Sequence, residues 1–228
     1  MTISGNKTPH FPEDYDAQIK RTIPYYEQIN KETINLILSM DRHPSIWLDT
    51  GCGTGTLVSQ ATEVMPTTKF LLTDPSEKML EQARIKLANK GNIAFLESMP
   101  TQELTCLTDE RPDVITAIQC HHYLSRSERK KAVDICYGLL REGGVYVTFE
   151  NIRPFTDQGI EIAKRRWGRF QLDNGKCKSE VQEHLARFDK EYFPINVGEH
   201  LDLLRQAGFG VVEVFWYSCM QAGFYCIK

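Results

Sequence analysis

The chain has 228 residues, 41% of them hydrophobic and 25% charged, with a formal net charge of −3. That length suits one large domain, or one domain with a modest insertion, and no window approaches the roughly 18 apolar residues of a membrane span. The slightly acidic balance excludes a global field for capturing nucleic acid, although local basic patches stay open. Seven cysteines are scattered with no Cys-x-x-Cys pair and no zinc-ligand spacing, so the chain reads as a reduced, cytoplasmic protein without a metal.

Met1 to Asp14 is polar and proline-containing and lacks a signal-peptide core, which suggests a short arm. Tyr25 to Met40 has helical spacing, with Ile29, Ile34, Ile37 and Leu38 on one side. Ser45 to Asp49 predicts a buried strand, then a glycine turn and a helix from about Thr56 to Val64. Lys69 to Thr73 predicts a second strand ending at Asp74-Pro75-Ser76. Ser76 can cap a helix that runs toward Asn89 and stops at Gly91. Ile93 to Leu96 and Asp113 to Ile118 predict the third and fourth strands. Ser127 to Arg141 predicts a helix stopped at Gly143-Gly144, and Val145 to Glu150 a fifth strand.

The rhythm then changes. From Ile152 to about Ile195 two charged, helix-like segments flank Asp173-Asn174-Gly175, a stretch too long for a plain connection. Val197 to Ala207 predicts a helix, and Gly210 to Tyr217 and Met220 to Ile227 predict two strands. Their short link forces antiparallel pairing, since a parallel crossover needs a dozen residues or more. The expected organisation is a single domain over 1–228, with a helical cover over 1–40 and an inserted lid over 152–195.

The chemistry-bearing feature is Leu48-Asp49-Thr50-Gly51-Cys52-Gly53-Thr54-Gly55. Glycines between a strand and a helix permit unusual backbone angles and close approach of a ligand, and amides at the helix start favour an anionic group. Asp74, at the end of the second strand, can accept hydrogen bonds from vicinal ribose hydroxyls. The spacing differs from the Gly-x-Gly-x-x-Gly of dinucleotide folds, which makes a nicotinamide dinucleotide the weaker ligand. Cys52 reads as a small filler of the turn.

Leu48 to Leu57 resembles the first motif of the class I S-adenosylmethionine-dependent methyltransferases. Asp74-Pro75-Ser76, Pro112 to Leu124 and Leu140 to Gly144 resemble later motifs of that family. The resemblance implies an α/β, Rossmann-like, seven-stranded, mostly parallel sheet. An antiparallel C-terminal hairpin closes it, helices cover both faces, and a helical insertion follows strand five. Within the family, three stretches resemble the carboxy-S-adenosylmethionine synthase group, which is linked to tRNA wobble-uridine modification. They are Phe11 to Asp14 with Ile19 to Tyr26, Tyr123 to Arg129, and Ala207 to Phe209 with Val214 to Tyr217. Gly53 stands where that group usually has serine.

The resemblance implies S-adenosyl-L-methionine as cofactor. It places Tyr26 at the methionine end, Asp49, Gly51, Cys52, Gly53 and Gly55 at the turn, and Asp74, Pro75 and Met79 around ribose and adenine. Ser98 and Met99 would edge the adenine, and Gln119 would contribute from strand four. Arg21 would face the cofactor carboxylate, and Arg187 lies nearest the arginine that holds an extra carboxylate in the synthase group. Tyr25, Tyr123 and Trp167 would shape the acceptor pocket. His121 or His122 would act as general base, or else merely line the pocket. The basic surplus between Glu161 and Lys190 suits an acidic substrate or, more simply, a solvated helix face.

The expected activity is methyl transfer to a small-molecule acceptor. A carboxy-S-adenosylmethionine synthase and a non-catalytic cofactor-binding protein stay open, as does a homodimer.

Overall fold

The computed structural model describes residues 12–105 and 111–228; most of the polar arm (1–11) and Cys106 lie outside the described residues. Two helices come first, α1 (Tyr15–Thr22) and α2 (Tyr26–Leu38). Alternation then begins with β1 (Ile46–Thr50), α3 (Thr56–Val64), β2 (Lys69–Thr73), α4 (Glu77–Leu87) and β3 (Ile93–Phe95). It continues with β4 (Val114–Ile118), a 3₁₀ turn at His121–Tyr123, α5 (Arg126–Leu139) and β5 (Val145–Asn151). After β5 come α6 (Asp157–Asp173), α7 (Lys178–Ala186), α8 (Val197–Gln206), β6 (Val211–Ser218) and β7 (Gln221–Ile227).

The seven strands form one sheet in the order β3-β2-β1-β4-β5-β7-β6, parallel through β5 and antiparallel at β7 and β6. This is the expected architecture. Period-two alternation decides which side chain goes to which face. Leu48, Ile115 and Tyr146, aligned across β1, β4 and β5, pack toward α5 and α8. Their neighbours Trp47, Val114 and Val145 pack toward α2 and α3. The chain leaves β1 for β2 on one side and returns as β4 on the other. That reversal opens a crevice beyond the carboxyl ends of β1 and β4.

Local chemistry sets the boundaries. α5 starts at Arg126, one residue before the expected start, because Ser125 and Glu128 form a reciprocal capping box. α2 starts at Tyr26, because Tyr25 caps it in a left-handed conformation (φ 61°). The separate helix α1 was not foreseen as an element of its own. Asn196 and Glu199 form a capping box at α8.

The insertion packs on α1. Trp167 of α6 is fully buried, and its Nε1 donates to the Thr22 carbonyl at 2.6 Å. Arg21 reaches back to the α6–α7 turn, donating through Nε to the Asn174 carbonyl (2.9 Å) and through Nη2 to that of Gly175. Among the described residues, no helix is long and apolar enough to cross a membrane.

Candidate active site

The glycine turn closes β1 onto α3. Gly51, Gly53 and Gly55 all have positive φ (71°, 55° and 75°). A Cβ on Gly51 would stand 2.7 Å from Cys120 Cβ, and one on Gly55 would stand 2.9 Å from Leu87 Cδ1. These glycines therefore let β4 approach the turn and α4 pack on the start of α3.

Four of the turn's amides are used inside the protein. Gly51 N and Cys52 N donate to the Thr73 carbonyl, Gly53 N to Asp74 Oδ2, and Gly55 N to the Cys52 carbonyl, all within 2.9–3.0 Å. The Cys52 thiol lies 3.6 Å from the Gly53 carbonyl, and burial pushes its pKa well up, in keeping with a filler.

Asp74 ends up beside the turn with a fixed carboxylate. Oδ2 accepts from Gly53 N at 2.9 Å and Oδ1 from Ser76 N at 2.8 Å. Burial raises its pKa to about 6 against the pull of those two hydrogen bonds. Ser98 Oγ donates to the Asp74 carbonyl, and Met79 lies buried under the loop in the first turn of α4. Pro75 is half-buried between them, and Met99 packs against the core beneath β3.

Asp49, at the end of β1, is 2% exposed, and Thr116 Oγ1 donates to its Oδ1 at 2.6 Å. Trp47 Nε1 in turn donates to Thr116. Burial is the main cause that lifts Asp49 to about 7, and Asp74 adds to it. A small cavity of about 30 Å³ lies between Asp49, Gly51, Cys52, Gly53, Tyr15, Tyr26, Asn30 and Ile118. Tyr15 and Tyr26 share a hydrogen bond at its edge.

A polar latch holds α1 over the turn. Asp16 accepts from Thr54 Oγ1 (2.6 Å), Thr56 Oγ1 (3.0 Å) and Lys86 Nζ. Burial works against the Asp16 charge, but the bonds from Lys86 and Thr54 outweigh it and hold the carboxyl below its usual range.

The two histidines are tied into a buried network around Glu150. Its Oε1 accepts from His121 N and Thr148 Oγ1, and its Oε2 from His122 N and His122 Nδ1. Burial opposes the Glu150 charge, yet hydrogen bonding and charge from His122 bring its pKa down to about 2. His122 Nε2 meets Asn151 Nδ2 at 3.1 Å, and Gln221 Nε2 donates to Asn151 Oδ1 at 3.1 Å. His121 Nε2 contacts Thr101 Oγ1 at 3.1 Å and Nδ1 contacts Tyr146 Oη at 3.3 Å; burial lowers its pKa to about 4. Both rings have both nitrogens engaged.

The remaining nominated residues separate. Tyr123 is half-buried against His122 (ring centroids 4.4 Å apart) and Tyr192. Tyr25 is 56% exposed, edge-to-face with Trp216 at 6.1 Å. Trp167 is internal to the α1–α6 contact. Arg187 Nε donates to Glu191 at 2.7 Å, and its guanidinium lies 6.0 Å from the Tyr192 ring centre, beside the outer groove between α1 and α7. Gln119 is buried with φ 57°, and neither of its side-chain polar atoms finds a partner among the described residues.

Tyr15, Asp16, Asn30 and Glu150 join the site without a motif in the sequence to mark them. Asn30 carried a usable signal: a polar residue four positions after Tyr26, among the inward-facing isoleucines of α2.

This fold, with its glycine turn and the acidic residue after β2, is similar to that of the class I S-adenosylmethionine-dependent methyltransferases. Residues 48–144 match the family described as Methyltransferase domain. A carboxy-S-adenosyl-L-methionine synthase of Trichodesmium erythraeum is 24% identical over 200 residues, covering 87% of this chain and 79% of that protein. Among solved structures, magnesium protoporphyrin IX methyltransferase from Synechocystis, with bound S-adenosylhomocysteine, superposes with a TM-score of 0.64 at 15% identity. That likeness covers 92% of this chain and 86% of that one. An O-methyltransferase family protein from Burkholderia thailandensis gives 0.62 at 13% identity over 88% of this chain, which spans only 56% of its length.

Proposed function

We propose that the chain binds S-adenosylmethionine across the carboxyl ends of β1, β2 and β4 and transfers its methyl group to a small-molecule nucleophile. The observation that carries this reading is the Asp74 carboxylate, buried beside the glycine turn and held there by Gly53 N and Ser76 N. Both oxygens keep lone pairs for the ribose hydroxyls of an adenosyl group. The orphaned Gln119 amide and the close approach at Gly51 also fit an adenosyl ligand with an amino-acid end. Bound S-adenosylmethionine supplies a methyl group on a sulfonium, open to in-line attack by a nucleophile. The protein's part is binding, orientation and exclusion of water. Tyr15 and Tyr26 wall the turn, and an aromatic face toward a sulfonium contributes about 0.5–2 kcal/mol. His121 and His122 hold the loop after β4, so the reading takes no proton from the acceptor through them.

A carboxy-S-adenosylmethionine synthase is the second reading, favoured by the relatives of that name that match over most of their length. It needs a cation for the extra carboxylate. Arg187 is engaged with Glu191 and Arg21 with the carbonyls of the α6–α7 turn, which supports the first reading. Mass spectrometry of the purified protein, before and after incubation with S-adenosylmethionine and an acceptor panel, separates the two. Methylated product with S-adenosylhomocysteine supports methyl transfer. A retained carboxylated cofactor, with affinity lost in Arg187→Ala, supports the synthase instead.

A further inference from the structure

Asn30 is 2% exposed on the inward face of α2, yet its Nδ2 has no hydrogen-bond partner among the described residues. The Tyr26 hydroxyl lies against the same amide, and a bond to it would use only one of the two N–H groups of Nδ2. An unpaired buried donor is costly to a fold and calls for an explanation, and a ligand that accepts from it is one. The position supports that explanation. Asn30 lines the cavity between Asp49, Gly51, Tyr26 and Ile118, where β1 passes into the glycine turn.

The chemistry of the neighbouring groups narrows the ligand. The amides of Gly51, Cys52, Gly53 and Gly55 already have partners, so these four have little left to offer an anionic group. Asp49 faces the same cavity, and only one of its carboxylate oxygens is engaged, by Thr116. A neutral donor and a carboxylate on one small cavity match the two ends of an α-amino acid, whose carboxylate accepts and whose ammonium donates.

We propose that Asn30 is a ligand-binding residue whose Nδ2 donates to the α-carboxylate at the amino-acid end of the cofactor, beside Asp49. This rests on the adenosyl-binding reading above and adds the group that recognises the far end of the same molecule. It also separates two parts of the site: Asp74 senses the ribose, and Asn30 senses the amino acid.

The test compares two probes, S-adenosylhomocysteine and 5′-methylthioadenosine, which keeps the nucleoside and lacks the amino-acid end. Calorimetric titration of the full chain gives both affinities. Asn30→Leu fills a similar volume without a donor, and its melting temperature is expected to equal or exceed that of the wild type. It is expected to weaken S-adenosylhomocysteine by about 10- to 100-fold, the loss of one charge-assisted hydrogen bond, and to leave methylthioadenosine within about twofold. Asn30→Asp keeps the shape and places a like charge at the carboxylate, so it should lose at least as much; it serves if the leucine variant folds poorly. Unchanged S-adenosylhomocysteine affinity, or an equal loss for both probes, overturns the role of Asn30 and leaves the adenosyl site standing. A wild-type chain that binds neither probe overturns the adenosyl reading, and this inference with it.

Discussion

Asp49 and His121 oppose each other in their dependence on pH. Asp49 titrates near 7 in the folded protein and near 3.8 when unfolded, so between those values the folded state holds the extra proton. Stability contributed by Asp49 therefore falls as pH rises through that window. His121 titrates near 4 against an ordinary 6.5, so the unfolded state binds the extra proton and stability falls as pH drops through that range. Between about pH 4 and 6.5 the two slopes offset. Asp49→Asn should stabilise the ligand-free protein above pH 7 by up to about 4 kcal/mol and unmask a decline below pH 6.5. Urea denaturation from pH 5 to 8 measures both, and an unchanged pH profile would contradict the burial assigned to Asp49. Glu150→Gln should cost about 3 kcal/mol in the same assay, since it leaves the His122 Nδ1–H facing an amide inside a buried network. A loss under about 1 kcal/mol would mean that the loop after β4 is held by something else.

At the scale of elements, α1 is fastened at both ends. Asp16 ties it to Thr54, Thr56 and Lys86 at the cofactor turn, and Arg21 and the Thr22 carbonyl tie it to the insertion. The cavity behind Tyr15 and Tyr26 is near 30 Å³, enough for about one water, so a larger ligand at that spot would displace α1. Asp16→Ala should therefore speed release of S-adenosylhomocysteine several-fold, about 3- to 10-fold in stopped-flow fluorescence; an unaltered rate would show that α1 does not gate the crevice. The sheet and its closing hairpin were legible in the sequence, because strand alternation, the glycine turn and the short link at Cys219-Met220 are local signals. α1 was not, because Tyr15 to Thr22 is a short charged segment whose helix is held by partners far along the chain, Trp167 and Asn174 among them. Asp74 and the glycines could be found from spacing alone. Arg21 and Arg187 could not be placed, since which way a long cationic side chain turns depends on acceptors that only the folded chain brings near.

The whole molecule is a scaffold whose strand reversal presents Asp49, the turn, Asp74 and Gln119 at one crevice, with α1 and the insertion packed together above it. Asp49, the glycine turn, Asp74 and Gln119 lie in the stretch that matches the methyltransferase domain, whereas Tyr15, Tyr26 and Asn30 precede it and α6 and α7 belong to the insertion between β5 and α8. The central claim is that an adenosyl ligand sits on Asp74. Titrating S-adenosylhomocysteine into the wild type and Asp74→Ala tests it most directly. Micromolar binding that weakens by about 100-fold or more in the variant, the loss of two hydrogen bonds to a buried carboxylate, is the result this account predicts. Equal binding by the two proteins, or none by the wild type, would contradict it.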